Sequence, residues 1–173
     1  MNTRKAANFA MLLVSACLAH AQGDLPNPAK YLGKTMPAFN MVKAGGGHLT
    51  NADLKGKVYI VDFWGTWCVT CRLMTHVMEG LYTKYHNKGL FVVGADAQEF
   101  KASAIQRELK FHPRPYVVTL NNDALADRMD AVAFPTVFVV DKLGTVRDVE
   151  VGVRKTSSSD LDHWVHKLLA EKA

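Results

Sequence analysis

Two cysteines three positions apart, Cys68 and Cys71, stand at the seam between an uninterrupted apolar run, Val58 to Trp64, and a stretch patterned for a helix. That seam constrains the fold more than any other feature of the chain. The run is rich in Val, Ile and aromatics and carries one charge, Asp62, as expected of a central strand covered on both faces. Beyond the cysteines, Met74, Val77, Met78, Leu81 and Tyr85 recur at three and four residues. This spacing predicts a helix from about Cys68 to Asn87, ended by a left-handed Gly89. A pair so close in sequence can close only a tiny loop and adds little stability through chain entropy. A disulfide-stapled scaffold would need more cysteines at wider separation, so the pair is chemical rather than structural.

The remaining elements follow from shorter signals. Residues 22–37, with Pro26, Pro28, Pro37 and two glycines, read as a linker and entrance segment ahead of a domain spanning 38–173. Phe39 to Val42, the Gly45-Gly46-Gly47 turn and His48 to Thr50 predict a hairpin, and Asn51 to Leu54 one helical turn. Leu90 to Ala95 reads as a second buried strand, and Gln98 to Lys110 as a helix stopped by His112-Pro113-Arg114-Pro115. Tyr116 to Leu120 predicts a short strand and Asp123 to Ala131 a short helix. Thr136 to Val140 and Thr145 to Val151 form a hairpin about Asp141 to Gly144. Ser157 and Asp160 open a last helix whose apolar face is Leu161, Trp164, Val165, Leu168 and Leu169. The order implies an α/β fold, a central mixed sheet flanked by helices on both faces, with an N-terminal hairpin extension.

Residues 1–21 read as a signal peptide. Arg4 and Lys5 form a basic start, Ala6 to Ala19 is an uncharged apolar run too short to span a bilayer comfortably, and Ala19-His20-Ala21 presents small residues for cleavage. This places the mature chain outside the cytoplasm, most simply in a periplasm. The alternative is Val14-Ser15-Ala16-Cys17, which resembles a lipobox; the protein is membrane-anchored only if Cys17 is lipidated. The net charge of +5 falls by two without Arg4 and Lys5. The remaining basic residues are scattered, which argues against a nucleic-acid partner.

At a strand-to-helix seam the two cysteines are unequal. Cys68 at the helix N-terminus meets unpaired backbone N–H groups and the positive end of the helix dipole, which favour its thiolate. Cys68 is therefore the attacking sulfur, and Cys71, one turn further in, the resolving one. Trp67 supplies a flat apolar surface for a substrate chain. Asp62 within an apolar strand is costly when charged, so its pKa is expected to rise. The plainer alternative is an aspartate satisfied by local hydrogen bonds.

The stretch Asp62-Phe63-Trp64-Gly65-Thr66-Trp67-Cys68-Val69-Thr70-Cys71-Arg72 resembles the active site of the thioredoxin superfamily. More narrowly the chain resembles exported TlpA/ResA-like thiol-disulfide oxidoreductases. Gly33 to Phe39, Leu54-Lys55-Gly56-Lys57 and Ala133-Phe134-Pro135-Thr136 through Asp141 extend that likeness over most of the mature chain. The resemblance implies a thioredoxin-like fold and a redox-active disulfide between Cys68 and Cys71. It also implies a cis Pro135 facing them, and Phe134 offering its backbone to an extended substrate. Without the cysteines, Pro135 would read as an ordinary strand-opening proline. By the same resemblance the chain is a protein-disulfide reductase acting on exported protein thiols and disulfides. Clients of the cytochrome c maturation or oxidase copper-site assembly type are implied, with a membrane thiol transporter as electron donor. The alternative is a redox-inert peptide-binding module or chaperone on the same fold.

Asp62, six residues before Cys68, stands where thioredoxins keep a buried aspartate that handles the proton of the second cysteine, so the resemblance implies an acid/base role for it toward Cys71. Three departures qualify the likeness. Met74 stands where ResA-type members often carry an acid, the lysine that partners the thioredoxin aspartate has no counterpart in Leu90 to Ala95, and His76 replaces a helix proline. No cofactor is required and no metal is expected. His163 and His166 are the one closely spaced pair that zinc would need, and they lie far in sequence from the cysteines. A copper chaperone of the Sco type would have three residues between its cysteines, not two.

Overall fold

In the computed structural model, which describes residues 25–99 and 101–172, Val58–Trp64 forms a strand buried along its whole length. The leader expected over residues 1–21 lies outside the described residues. In chain order the elements are β1 (Asn40–Lys43), β2 (His48–Thr50), β3 (Val58–Trp64), α1 (Val69–Tyr85), β4 (Leu90–Asp96) and α2 (Ala102–Phe111). They continue with β5 (Val117–Leu120), α3 (Asp123–Arg128), β6 (Thr136–Val140), β7 (Val146–Val151) and α4 (Ser157–Ala170). Among the described residues the strands make one seven-stranded sheet in the order β2-β1-β5-β4-β3-β6-β7. The expected mixed sheet with an N-terminal hairpin is the observed one: β3, β4 and β5 run parallel, and β1, β2, β6 and β7 join antiparallel.

The two faces of β3 divide the core. Val58, Ile60 and Trp64 pack with Met74 and Met78 of α1, Ile105 of α2, and Leu161, Val165 and Leu168 of α4. Tyr59, Val61 and Phe63 turn the other way and meet Met36, Phe39, Leu54, Leu125, Met129 and Phe138. Each fully buried apolar side chain of this size contributes roughly 1.5–3 kcal/mol, so the continuous buried run of β3 is a large contribution to the core. The segment ahead of β1 is stitched to the far edge: Gly33 N–H donates to Val146 O at 2.8 Å, and Met36 N–H donates to Gly144 O at 2.8 Å.

Helix α1 follows its sequence signals closely. A short 3-10 turn, His86–Lys88, closes it, and Gly89 takes φ 102, a left-handed conformation that a side chain would resist. Helix α2 begins at Ala102, four residues later than its composition suggests. The reason is tertiary: Gln98 adopts φ 56, and Gln98 and Glu99 bond to residues of the β3–α1 loop instead of winding into the helix.

Candidate active site

Strand register gathers the site at one end of the sheet. Parallel pairing sets Trp64 opposite Asp96, so the loops leaving β3 and β4 emerge side by side. Antiparallel pairing sets Phe63 opposite Thr136, which brings the Phe134–Pro135 segment to the same end. The Phe134–Pro135 peptide bond is cis.

Cys68 occupies the N-cap of α1, and its Sγ accepts the Cys71 N–H at 3.2 Å. The two sulfurs are joined in a disulfide. They are unequally covered: Cys68 keeps 5% of its surface and Cys71 keeps 1%. The chain neighbours of Cys68, Trp67 and Val69, are exposed, at 45% and 77%. The Trp67 indole stacks on the Phe134 ring, and the Thr70 hydroxyl donates to Phe134 O at 3.4 Å, tying the cysteine turn to the Pro135 segment.

Trp67 is held from behind. Its Nε1–H donates to Gln98 O at 2.9 Å. Thr66 donates to the Glu99 carboxylate through its N–H at 3.0 Å and its hydroxyl at 2.7 Å. Gly65 makes this fold-back sterically feasible, because a Cβ there would lie 2.6 Å from Trp67 Nε1 and 3.2 Å from Ala97 O.

Asp62 is 1% exposed, and its Oδ1 has no hydrogen-bond partner among the described residues. Strand alternation puts it on the face shared by Ile60 and Trp64, the face that Cys71, Met74 and Met78 cover. Burial holds the Asp62 carboxyl well above the usual carboxylate range, and the Arg114 guanidinium pulls it partway back. The Tyr116 hydroxyl is pushed upward, first by burial and then by the Asp62 charge. Gly94, paired with Asp62, leaves room beside it: a Cβ there would meet Trp64 Nε1 at 3.0 Å and Tyr116 Cε2 at 3.3 Å. Asp96, at the end of β4, is pushed up to about 7 by burial, opposed by the Asn121 N–H and reinforced by Glu99 and Asp123.

A buried cysteine pair of unequal access at a helix mouth, opposite a proline segment, can open and close as a disulfide without refolding. The family model described as Redoxin matches residues 32–164. This chain belongs to the Redoxin family. The Thiol:disulfide interchange protein DsbE of Pseudomonas fluorescens biotype C is 33% identical over 73% of this chain and 70% of its own length. The thiol-disulfide oxidoreductase ResA of a Bacillus cereus strain is 30% identical over 79% of this chain and 78% of its own. Among solved structures, a thiol:disulfide interchange protein of the thioredoxin family from Chlorobium tepidum TLS is 30% identical at a TM-score of 0.69. It covers 79% of this chain and 96% of its own. The resemblance to the thioredoxin superfamily and its TlpA/ResA-like members, drawn from the motifs, is thereby borne out for this Redoxin chain.

Of the residues singled out from sequence, the structure brings together Cys68, Cys71, Trp67, Phe134 and Pro135 at one sheet end, with Asp62 beneath Cys71's side of β3. His163 and His166 lie exposed on α4. Three residues of this Redoxin site were not legible. Gln98 and Glu99 read as helix, and no local signal ties them to Thr66 and Trp67. Arg114 read only as part of a helix stop, although an arginine between two prolines at a strand entrance was a usable signal.

Proposed function

We propose that this Redoxin chain is a thiol-disulfide oxidoreductase that reduces disulfides of exported protein substrates. The observation that carries the reading is the inequality of the pair: Cys68 at the helix mouth with residual access, Cys71 sealed one turn below. In the reduced protein the Cys68 thiolate attacks a client disulfide, forming a mixed disulfide and expelling one client sulfur as a thiolate, which takes up a proton. Cys71 then gives its proton to Asp62, attacks Cys68 Sγ, and releases the second client thiolate. The client gains two electrons and the protein is left as the disulfide. Trp67 and Phe134 form the apolar ledge on which the client chain lies, beside Pro135.

Thiol-disulfide exchange is supported by the DsbE and ResA relatives, and the reducing direction rests on the motif resemblance to TlpA/ResA-like proteins. Clients of the cytochrome c maturation or oxidase copper-site type, and a membrane thiol transporter as electron donor, belong to the same reading. So does export through residues 1–21 as a signal peptide, with 22–37 leading into the domain over 38–173. The mass of the mature amino terminus separates cleavage after Ala21 from acylation of Cys17. In the described residues no helix is long and apolar enough to cross a membrane.

The test is trapping together with a redox titration. Cys71→Ser should accumulate mixed disulfides through Cys68, and equal trapping by Cys68→Ser would reverse the roles. A potential near that of thioredoxin, about −270 mV, fits a reductant, whereas one near the about −120 mV of a strong oxidant overturns the direction. A pair that does not interconvert in mild redox buffers would leave the redox-inert binding module instead.

A further inference from the structure

Arg114 is a permanently charged side chain with only 7% of its surface in solvent. Its placement is fixed by three contacts. One guanidinium nitrogen donates to Glu108 Oε1 at 2.9 Å, another donates to His112 O at 2.7 Å, and the guanidinium carbon sits 5.5 Å from the centroid of the Trp64 ring. Trp64 is two residues from Asp62 on the same face of β3, and Tyr116, two residues beyond Arg114, lies over Gly94, the direct sheet partner of Asp62. The guanidinium thus lies against Trp64, the side chain next to Asp62 on the same face of β3. It makes no ion pair with Asp62, so its action is through the low-dielectric interior rather than by contact.

We propose that Arg114 is a positioning residue of the redox site, the countercharge that keeps the Asp62 carboxylate ionised and so able to accept the Cys71 proton. The proposal rests on the relay role given to Asp62 above and adds the group that makes the charged form attainable. The other charged and titratable groups on this side of the sheet are Cys71, Glu79, Tyr82 and Tyr85 of α1, Glu108 of α2, and Tyr116. Arg72, His76 and His112 stand at the solvent side of the same cleft. β4 and β6 face Asp62 with Gly94 and Val137, and α4 adds Leu161 and Val165. Arg114 is the cation among these that acts on Asp62, whose unpartnered Oδ1 has no donor to replace it. Glu108 holds the guanidinium in place and at the same time offsets part of its charge.

The experiment follows the Asp62 carboxyl carbon by NMR as pH is raised, in the full oxidised chain and in Arg114→Met, Arg114→Lys and Glu108→Gln. Arg114→Met should move the Asp62 midpoint up by about one pH unit or more, as loss of a nearby opposite charge does. Arg114→Lys should restore most of the shift, and Glu108→Gln should move the midpoint down. The pH at which mixed-disulfide resolution reaches half its maximal rate should shift with the titration, and Arg114→Met should add nothing in an Asp62→Asn background. An unmoved midpoint in folded Arg114→Met, or a lysine variant as shifted as the methionine one, overturns the proposal. If Arg114→Met does not fold, an unmoved Glu108→Gln midpoint does so instead. Failure of the relay reads differently: resolution unchanged in Asp62→Asn, with the Arg114→Met shift intact, removes the relay and leaves the countercharge in place.

Discussion

The indole of Trp67 lies stacked on the ring of Phe134, centroids 5.6 Å apart and planes 29° apart, bridging the cysteine turn and the cis Phe134–Pro135 segment. Such a pair contributes about 0.5–1.5 kcal/mol beyond its area. Phe134→Ala should weaken capture of a client peptide by about threefold to tenfold, while reaction of the pair with a small thiol such as dithiothreitol changes little. Competition binding beside stopped-flow oxidation checks this, and an equal loss in both would show that the ledge supports the cysteines rather than the client.

Asp62 carries a pH-dependent stability term whose sign follows from its burial. Its carboxyl is raised in the folded state, so its contribution is fully present below the unfolded value of about 3.9 and is lost as pH rises toward the folded one. Asp62→Asn should therefore melt higher than the parent at pH 8, with the gap closing toward pH 4, while resolution of the mixed disulfide slows near neutral pH. Calorimetry across that range is the measurement. A gap that widens toward acid would contradict the burial argument.

Asp96 makes a second, independent case. Raised to about 7 chiefly by burial, it also favours the fold below the unfolded carboxylate range and loses that contribution as pH climbs through about 4 to 7. The slope is at most about 1.4 kcal/mol per pH unit. Asp96→Asn should flatten the denaturant-derived stability profile over this window. Because Asp96 leads into the Gln98–Glu99 loop that holds Trp67, indole fluorescence of the parent should titrate near neutral pH and that of Asp96→Asn should not.

Gly65 is required by close approach rather than by backbone angle. Adding a methyl places it 2.6 Å from Trp67 Nε1, so Gly65→Ala must displace the indole from Gln98 O. Overpacking of this kind costs about 1–3 kcal/mol. A lowered denaturation midpoint with red-shifted Trp emission is expected, and a crystal structure with Trp67 unmoved would refute it.

Legibility followed the range of the interaction. β3 was readable to the residue because seven consecutive buried positions leave no ambiguity of period, and the hairpin and α4 because turn residues and a heptad-like face mark their own limits. Composition alone starts α2 four residues too early, because helical propensity at Gln98 and Glu99 competes with partners supplied from elsewhere. Glu99 serves Thr66 across 33 residues of sequence, and no local propensity registers such a bond.

The residues alone determined that this chain would present two sulfurs at a strand-to-helix seam, that one would lie at the helix mouth, and that an acid would stand in the buried strand before them. Those are consequences of short-range periodicity, helix-end chemistry and the cost of burying charge. Tertiary structure alone decided which groups meet that acid and that indole. Arg114 reaches the Asp62 side of the sheet because β5 runs parallel beside β4, and Phe134 reaches Trp67 because β6 pairs antiparallel with β3. The partners lie far apart along the chain, and strand order, not residue type, sets their distance.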